Sequence, residues 1–397
     1  MHLPWINEQP KGRLLELDIL RGVAVLMVIG SHSAVNPGPA TGLAHALGVW
    51  LVRFGGTGVD LFFVLSGYLV GGLLLEELAT TGRLHVGRFL IRRGFKIWPG
   101  YIALVLFLLV GHLAKYQFDL GYTWHVLWPN FFHVQNYFHS PREHTWSLAV
   151  EEHFYLVLPL LLGLLPCRRE ERGYSIPLFP WMALLIAVGC FTLRLVCNAH
   201  GDFDYYSHIY RTHLRVDSLF FGVFLSYLAV RFRSGIPGVA RFRGWLLLAG
   251  VALFIPFRDV QVDKEPWVLT YGFTMLYLGY GMILLGLVSP AAPGDWLKRV
   301  LYSLPGRITG FIGYFSYAIY LWHMDFGHKP VDLLNRAGYL DFMGPSLRWV
   351  VGLAVMTGLA LVVGVALGKF IEYPALAIRD RLFPRTGANP HIRNQTG

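Results

Sequence analysis

Histidine is the side chain whose charge changes near neutral pH, and the stretch LDILRGVAVLMVIGSHS, residues 17–33, ends on one, His32, after opening with Asp18 and Arg21. Between Arg21 and His32 the residues are small or apolar apart from Ser31. On a helix Arg21 and His32 differ by about 20° in direction and about 16 Å in depth, and Asp18 lies within about 40° of the same line. The segment therefore carries one polar seam along an apolar cylinder. A charge at mid-bilayer costs about 2.5–3.5 kcal/mol even on the lenient insertion scale; Arg21 can escape along its stem to a surface, whereas His32 cannot. The seam offers a general base or nucleophile with a cation below it. The structural alternative is an interfacial arginine and a packed histidine.

A second anomaly is TWSLAVEEHFYLVLPLLL, where Glu151, Glu152 and His153 enter an apolar run. Neighbouring helix positions point about 100° apart, so the two carboxylates face different partners and at least one should meet a cation. Arg215 and Asp217 in RTHLRVDSLFFG are the expected partners, an interhelical ion tie being the structural alternative. Asp60 in GVDLFFVLSGYL is a polar site residue or a helix cap. His323 in YFSYAIYLWHMDF shares a face with Ser316, and is a site residue or a packed one. Asp60, Arg215, Asp217 and His323 are the substrate-binding candidates.

The run RFLIRRGFKIWPGY differs in kind: Arg88, Arg92, Arg93 and Lys96 crowd together at the mouth of an apolar segment. That density suits a polyanion such as the phosphates of coenzyme A, with lipid head groups as the alternative. No phosphate loop, zinc helix or nucleophile-elbow motif is present, and no metal site is expected.

These residues need helices to place them. Of the 397 residues 54% are hydrophobic and 15% charged, against about 25% charged in a soluble domain. Apolar runs long enough to cross a bilayer recur, at roughly 17–34, 57–77, 98–114, 146–166, 180–198, 214–230, 244–257, 270–290, 309–326 and 348–370. The expected fold is an all-α polytopic membrane protein of about ten spans. Lys and Arg concentrate in alternate loops, which puts both termini in the cytoplasm. Topology and anionic membrane lipids account for the net charge of +10, so no nucleic-acid partner is called for. Cys190 and Cys197 lie about 10 Å apart along one helix, too far for a disulfide. The N-terminal apolar run, interrupted by Arg21 and His32 and lacking an A-x-A site, reads as an uncleaved first helix.

Taken together, LDILRGVAVLMVIGSHS, GVDLFFVLSGYL, RRGFKIWPGY, TWSLAVEEHFYLVLP, LRVDSLFFG, SYAIYLWH and EYP at 372–374 resemble, in order, the motifs of the acyltransferase 3 family of membrane O-acyltransferases. In that family the Arg and His of the first motif are functionally required, which points to Arg21 and His32. Its R-x-x-R motif is associated with the acyl-CoA donor; this chain has Arg93 but Lys96 in the second place, which keeps the charge and loses the bidentate fork. Some members carry a fused extracytoplasmic SGNH domain, and this chain looks like the stand-alone type, with a cytoplasmic segment 1–16, a membrane domain 17–374 and a cytoplasmic tail 375–397.

The resemblance implies transfer of an acyl group, most often acetyl, from cytoplasmic acyl-CoA to a hydroxyl of a glycan, lipid-linked sugar or small molecule, in a bacterial cytoplasmic membrane and with no tightly bound cofactor. His32 would act as base or nucleophile, with Arg21, Glu151 and Glu152 as its catalytic companions and Arg92, Arg93 and Lys96 on the coenzyme. Trp124, Trp128, Tyr137 and Trp146 could stack on a sugar ring or form an interfacial belt. The competing classes are a transporter and a structural scaffold.

Overall fold

The computed structural model describes residues 14–37, 42–170, 173–200, 203–232, 239–262, 264–289 and 295–384. Its helices are α1 (Leu15–Ser31), α2 (Leu43–Phe54), α3 (Gly58–Thr81), α4 (Val86–Lys115), α5 (Leu120–Phe131), α6 (Trp146–Leu164), α7 (Phe179–His200), α8 (Thr212–Arg231), α9 (Arg243–Ala252), α10 (Phe273–Val288), α11 (Trp296–Leu301), α12 (Leu304–Tyr314), α13 (Ser316–Trp322), α14 (Lys329–Arg336), α15 (Pro345–Leu367) and α16 (Tyr373–Leu382). A hairpin of two short antiparallel strands, Arg168–Glu170 and Gly173–Ser175, is the only sheet among the described residues.

Among the described residues seven helical stretches are long and apolar enough to cross a membrane: Leu43–Thr81, Val86–Lys115, Glu143–Leu164, Phe179–His200, Tyr206–Arg231, Val268–Val288 and Pro345–Leu382. They coincide with seven of the ten expected spans, and the protein is an all-α integral membrane protein. The other three expected spans are helical too. The first is α1, of 17 residues. The second is α9 with the turn Ile255–Phe257. The third is broken at Phe315 into α12 and α13 and then widens into a π-helical turn, His323–His328.

Lipid gives helices little hydrophobic reason to associate, so close backbone approach through small residues must hold them together. Gly67 on α3 faces Gly222 on α8, and Gly71, one turn on, faces Val223 and Ser226. A Cβ at Gly67 would lie 1.9 Å from the Leu219 carbonyl oxygen, and one at Gly222 would lie 2.2 Å from that of Val64. α1 and α12 are joined in the same way: a Cβ at Gly22 would meet the Thr309 carbonyl at 2.1 Å, and one at Gly313 the Asp18 carbonyl at 1.7 Å. Any side chain at these positions would force the helices apart. The first pair fixes Asp60 against α8, and the second fixes the polar seam of α1.

Among the described residues four π-helical turns occur, at Tyr206–Tyr210, Val268–Gly272, His323–His328 and Gly368–Glu372. Such turns re-aim side chains and are frequent at functional sites. Two of them carry residues of the clusters that follow.

Candidate active site

The polar seam of α1 leads to two clusters at different depths. At its end His32, the C-cap of α1, is half-buried and meets His323, which is fully buried at the start of a π-helical turn. His32 Nδ1 and His323 Nε2 are 3.0 Å apart, and the rings stack with centroids 5.1 Å apart. His323 Nδ1 lies 2.6 Å from the Tyr320 carbonyl oxygen. A carbonyl oxygen only accepts, so His323 Nδ1 carries a hydrogen, and in the neutral ring Nε2 then accepts. His32 Nδ1 must therefore donate, which leaves the lone pair on His32 Nε2. A backbone carbonyl thus fixes the tautomer of the accessible histidine through the buried one.

The surroundings lock this chain. His144 sits edge-on to His323 at 5.1 Å and donates from Nε2 to the Leu321 carbonyl at 3.3 Å. The Tyr320 hydroxyl donates to the His144 carbonyl at 2.6 Å and accepts from Ser147 at 2.6 Å. Two positions past His323, the buried Asp325 receives both Nε and Nη2 of Arg142, the latter at 2.6 Å, and Lys329 at 2.6 Å. The loop before α6 is thereby strapped to the π-helical turn.

The second cluster surrounds the other end of the seam. Arg21 pairs with Asp18 at 2.9 Å and lies within electrostatic reach of Lys96 and Glu151. Arg93 donates to the Tyr155 hydroxyl and lies over that ring, 4.0 Å from its centroid. The same hydroxyl donates to Glu151 Oε2 at 2.5 Å and lies 2.5 Å from Ser66 Oγ. Glu152 accepts from the Trp98 indole at 3.2 Å. Lys96 pairs with Glu372 at 2.5 Å, and Arg92 with Asp380 at 3.1 Å. Glu152 Oε1 and Arg93 Nε are buried without a hydrogen-bond partner among the described residues.

Arg215 and Asp217, the expected partners of Glu151 and Glu152, are engaged elsewhere. Arg215 donates to Asp60 at 2.5 Å and lies 3.7 Å above the Phe273 ring, while Asp217 pairs with Arg194 at 2.8 Å. Arg194 also donates to the Leu214 carbonyl at 2.9 Å and to Thr274. Asp60, Arg215, Asp217 and Arg194 are each at most 3% exposed, so this network is sealed from any ligand route. Asp60 lies in the first turn of α3, whose N-cap is Thr57, and is paired with Arg215. The neighbour that orients His32 is His323 rather than either glutamate, because Glu151 and Glu152 lie at the depth of Arg93 and Trp98.

Arg194, His144, Arg142, Asp325, Tyr155 and Glu372 escaped the sequence reading. Arg194 had a signal, a lone cation inside the span 180–198; Glu372 had one only as part of the EYP motif. The others became visible when distant segments met. Of the four aromatic residues proposed for a sugar ring, Trp146 is buried and stacked on Tyr210, whereas Trp124 and Tyr137 are exposed and Trp128 half-buried. The three cysteines are free. Among the described residues no group of three or more His, Cys, Asp or Glu side chains is arranged to hold a metal ion.

A family model described as an acyltransferase domain matches residues 14–365. The chain is 29% identical over 376 residues to a protein named "Putative O-acetyltransferase" from Staphylococcus aureus (strain COL), covering 90% of this chain and 56% of that protein. It is 25% identical over 395 residues to "O-acetyltransferase OatA" of Staphylococcus aureus (strain MRSA252), covering 96% of this chain and 59% of that one. The chain thus spans little more than half the length of these curated relatives. No solved structure matches it.

Proposed function

The chain belongs to the acyltransferase domain family, and from that premise we propose that it is a membrane O-acyltransferase, taking an acyl group, acetyl in the first instance, from acyl-CoA to a hydroxyl-bearing acceptor. The observation that carries this reading is the histidine chain. His32 Nε2 presents a lone pair at the accessible end of a fixed tautomer, the state required of a general base. In the direct route His32 Nε2 takes the proton of the acceptor hydroxyl as its oxygen attacks the thioester carbonyl. The tetrahedral intermediate collapses with loss of the coenzyme thiolate, which takes the proton from His32. Acceptor hydroxyl and acyl thioester go in; O-acyl ester and thiol come out. His323 and the Tyr320 carbonyl stabilise the imidazolium that exists between these steps, and Arg142 with Asp325 holds the turn in place.

The inner cluster serves the donor. Coenzyme A is a polyanion with a long pantetheine arm, and Arg92, Arg93 and Lys96 supply cations at the mouth of α4. The unpartnered Arg93 Nε and Glu152 Oε1 are buried polar atoms of the kind a bound ligand satisfies. Arg21, a member of this cluster, balances Glu151 while the thioester passes toward His32. Asp60, Arg215 and Asp217 act in this reading as ties that hold α3, α7 and α8, and His323 acts as the positioning residue for His32. The acceptor is taken to be carbohydrate, met by the exposed Trp124 and Tyr137, and the membrane to be the bacterial cytoplasmic one, with the basic cluster and both termini on the inner side.

The purified protein with acetyl-CoA and a mixture of host surface glycans tests this. Coenzyme thiol should be released in step with ester formed on the acceptor. Binding or movement of a glycan with no thiol release would favour the transporter reading.

A further inference from the structure

Two arginines from different helices meet on one carboxylate where α4 begins. Arg92 Nη2 donates to Asp380 Oδ1 at 3.1 Å, and Arg379 donates from Nε to Oδ1 at 2.9 Å and from Nη2 to Oδ2 at 3.0 Å. Arg92 donates as well to the Phe383 carbonyl. The burial is lopsided: the arginine side chains are 18% and 14% exposed, whereas that of Asp380 is 53% exposed. The anion is thus the open member of the group and the two guanidinium groups are its floor. Arg88 lies one turn before Arg92 on the same face of α4. One turn after Arg92, Lys96 ties to Glu372, the N-cap of α16, at 2.5 Å, so the start of α16 stays docked on α4 without help from Asp380.

A guanidinium fork from Arg379 and a single N–H from Arg92 converging on one small oxyanion is an arrangement that suits phosphate, whose oxygens accept several N–H donors. We propose that Arg92 and Arg379 together anchor a phosphate group of the acyl donor, and that Asp380 occupies this anchor as an intramolecular stand-in until the donor displaces it. The inference rests on the acyl-CoA reading above and adds to it a residue of the last helix and a built-in competitor. A solvent-exposed carboxylate pair is a weak rival. A phosphate brings up to two negative charges and three acceptor oxygens, so displacement is favourable. The exchange also keeps the two cations neutralised in the absence of donor.

The test is titration of acetyl-CoA into the purified protein in detergent, for wild type, Asp380→Asn and Arg379→Gln, with thermal melts of each. Asp380→Asn removes the competitor's charge and keeps its shape, so acetyl-CoA should bind about two- to fivefold tighter. Arg379→Gln should bind it about tenfold or more weaker. A carboxylate that merely braces the fold gives the opposite sign: Asp380→Asn binding no tighter, or weaker with a lowered melting temperature, overturns the proposal. Arg93→Ala separates the two levels of inference. If Arg93→Ala weakens acetyl-CoA while Asp380→Asn gains nothing, the donor reading stands and this inference falls; if wild type does not bind acetyl-CoA, both fall. Repeating the titration with added phosphatidylglycerol identifies the source of the phosphate. A gain for Asp380→Asn in lipid association alone assigns the anchor to head groups and overturns its assignment to the donor.

Discussion

Two groups of buried charge lie in the same bundle and differ in whether they reach the surface. Asp60, Arg215, Asp217 and Arg194 are sealed by aromatic rings and by one another. The cluster of Arg21, Arg93, Lys96, Glu151 and Glu152 is built from similar side chains and, like the first with Arg194 Nε and Asp217 Oδ1, leaves two buried atoms, Arg93 Nε and Glu152 Oε1, unpartnered among the described residues, yet it reaches the partly exposed Arg21 and Lys96. Charge inside a membrane is commonly read as function. Here exposure is the better guide: a network sealed on every side holds helices, and one that reaches a partly exposed cation has room for a ligand.

The contrast can be broken by substitution. Removing one member of a sealed buried pair leaves an uncompensated charge, so Arg194→Ala should lower stability by about 3–5 kcal/mol, seen as a large fall in melting temperature in detergent. A near-wild-type melt would show that the network is not a structural tie. His323→Ala, which also opens a cavity at a fully buried ring and so lowers the melt somewhat, should lower kcat of the folded protein about 100-fold with little change in KM for acyl-CoA, because His32 loses the partner that sets its tautomer. A lowered melt with kcat of the folded protein unchanged would return His323 to a packing role. Arg93→Ala should raise the KM for acyl-CoA about tenfold or more with a smaller change in the acceptor constant, measured by titrating each substrate at saturation of the other. Were the acceptor constant alone to move, the inner cluster would not be the donor site. Lys96→Arg should change the same constant by less than about threefold, since the charge facing Glu372 is kept.

Much of this architecture was legible from residue types, and the reason is the solvent. In lipid a polar side chain needs a cause, so Arg21, His32, Glu151, Glu152, Arg215 and Asp217 stood out against apolar runs. Pairing was not legible. Glu151 and Arg215 look complementary along the chain, but the glycine contacts of α3 with α8 give Arg215 to Asp60, and α4 brings Arg93 to Tyr155 and Glu151. The break at Phe315 and the π-helical turn after it have no periodic signature, so the meeting of His323 with His32 across 291 positions could not be anticipated. Seam depth along α1 was predictable from helix geometry alone; the depth of the glutamates depends on how α6 sits against α4.

The central claim is that His32 Nε2 is the proton-accepting atom of acyl transfer. Single-turnover transfer of radiolabelled acetyl-CoA to acceptor, for wild type and His32→Ala with acid-quenched protein counted in parallel, addresses it most directly. The account predicts labelled acceptor with wild type, a loss of about 10²–10⁴-fold or more in His32→Ala at unchanged melting temperature, and no label held by wild-type protein when acceptor is omitted. Transfer by His32→Ala at the wild-type rate would contradict the account outright, and stoichiometric label on His32 would replace the base with a covalent acyl-histidine.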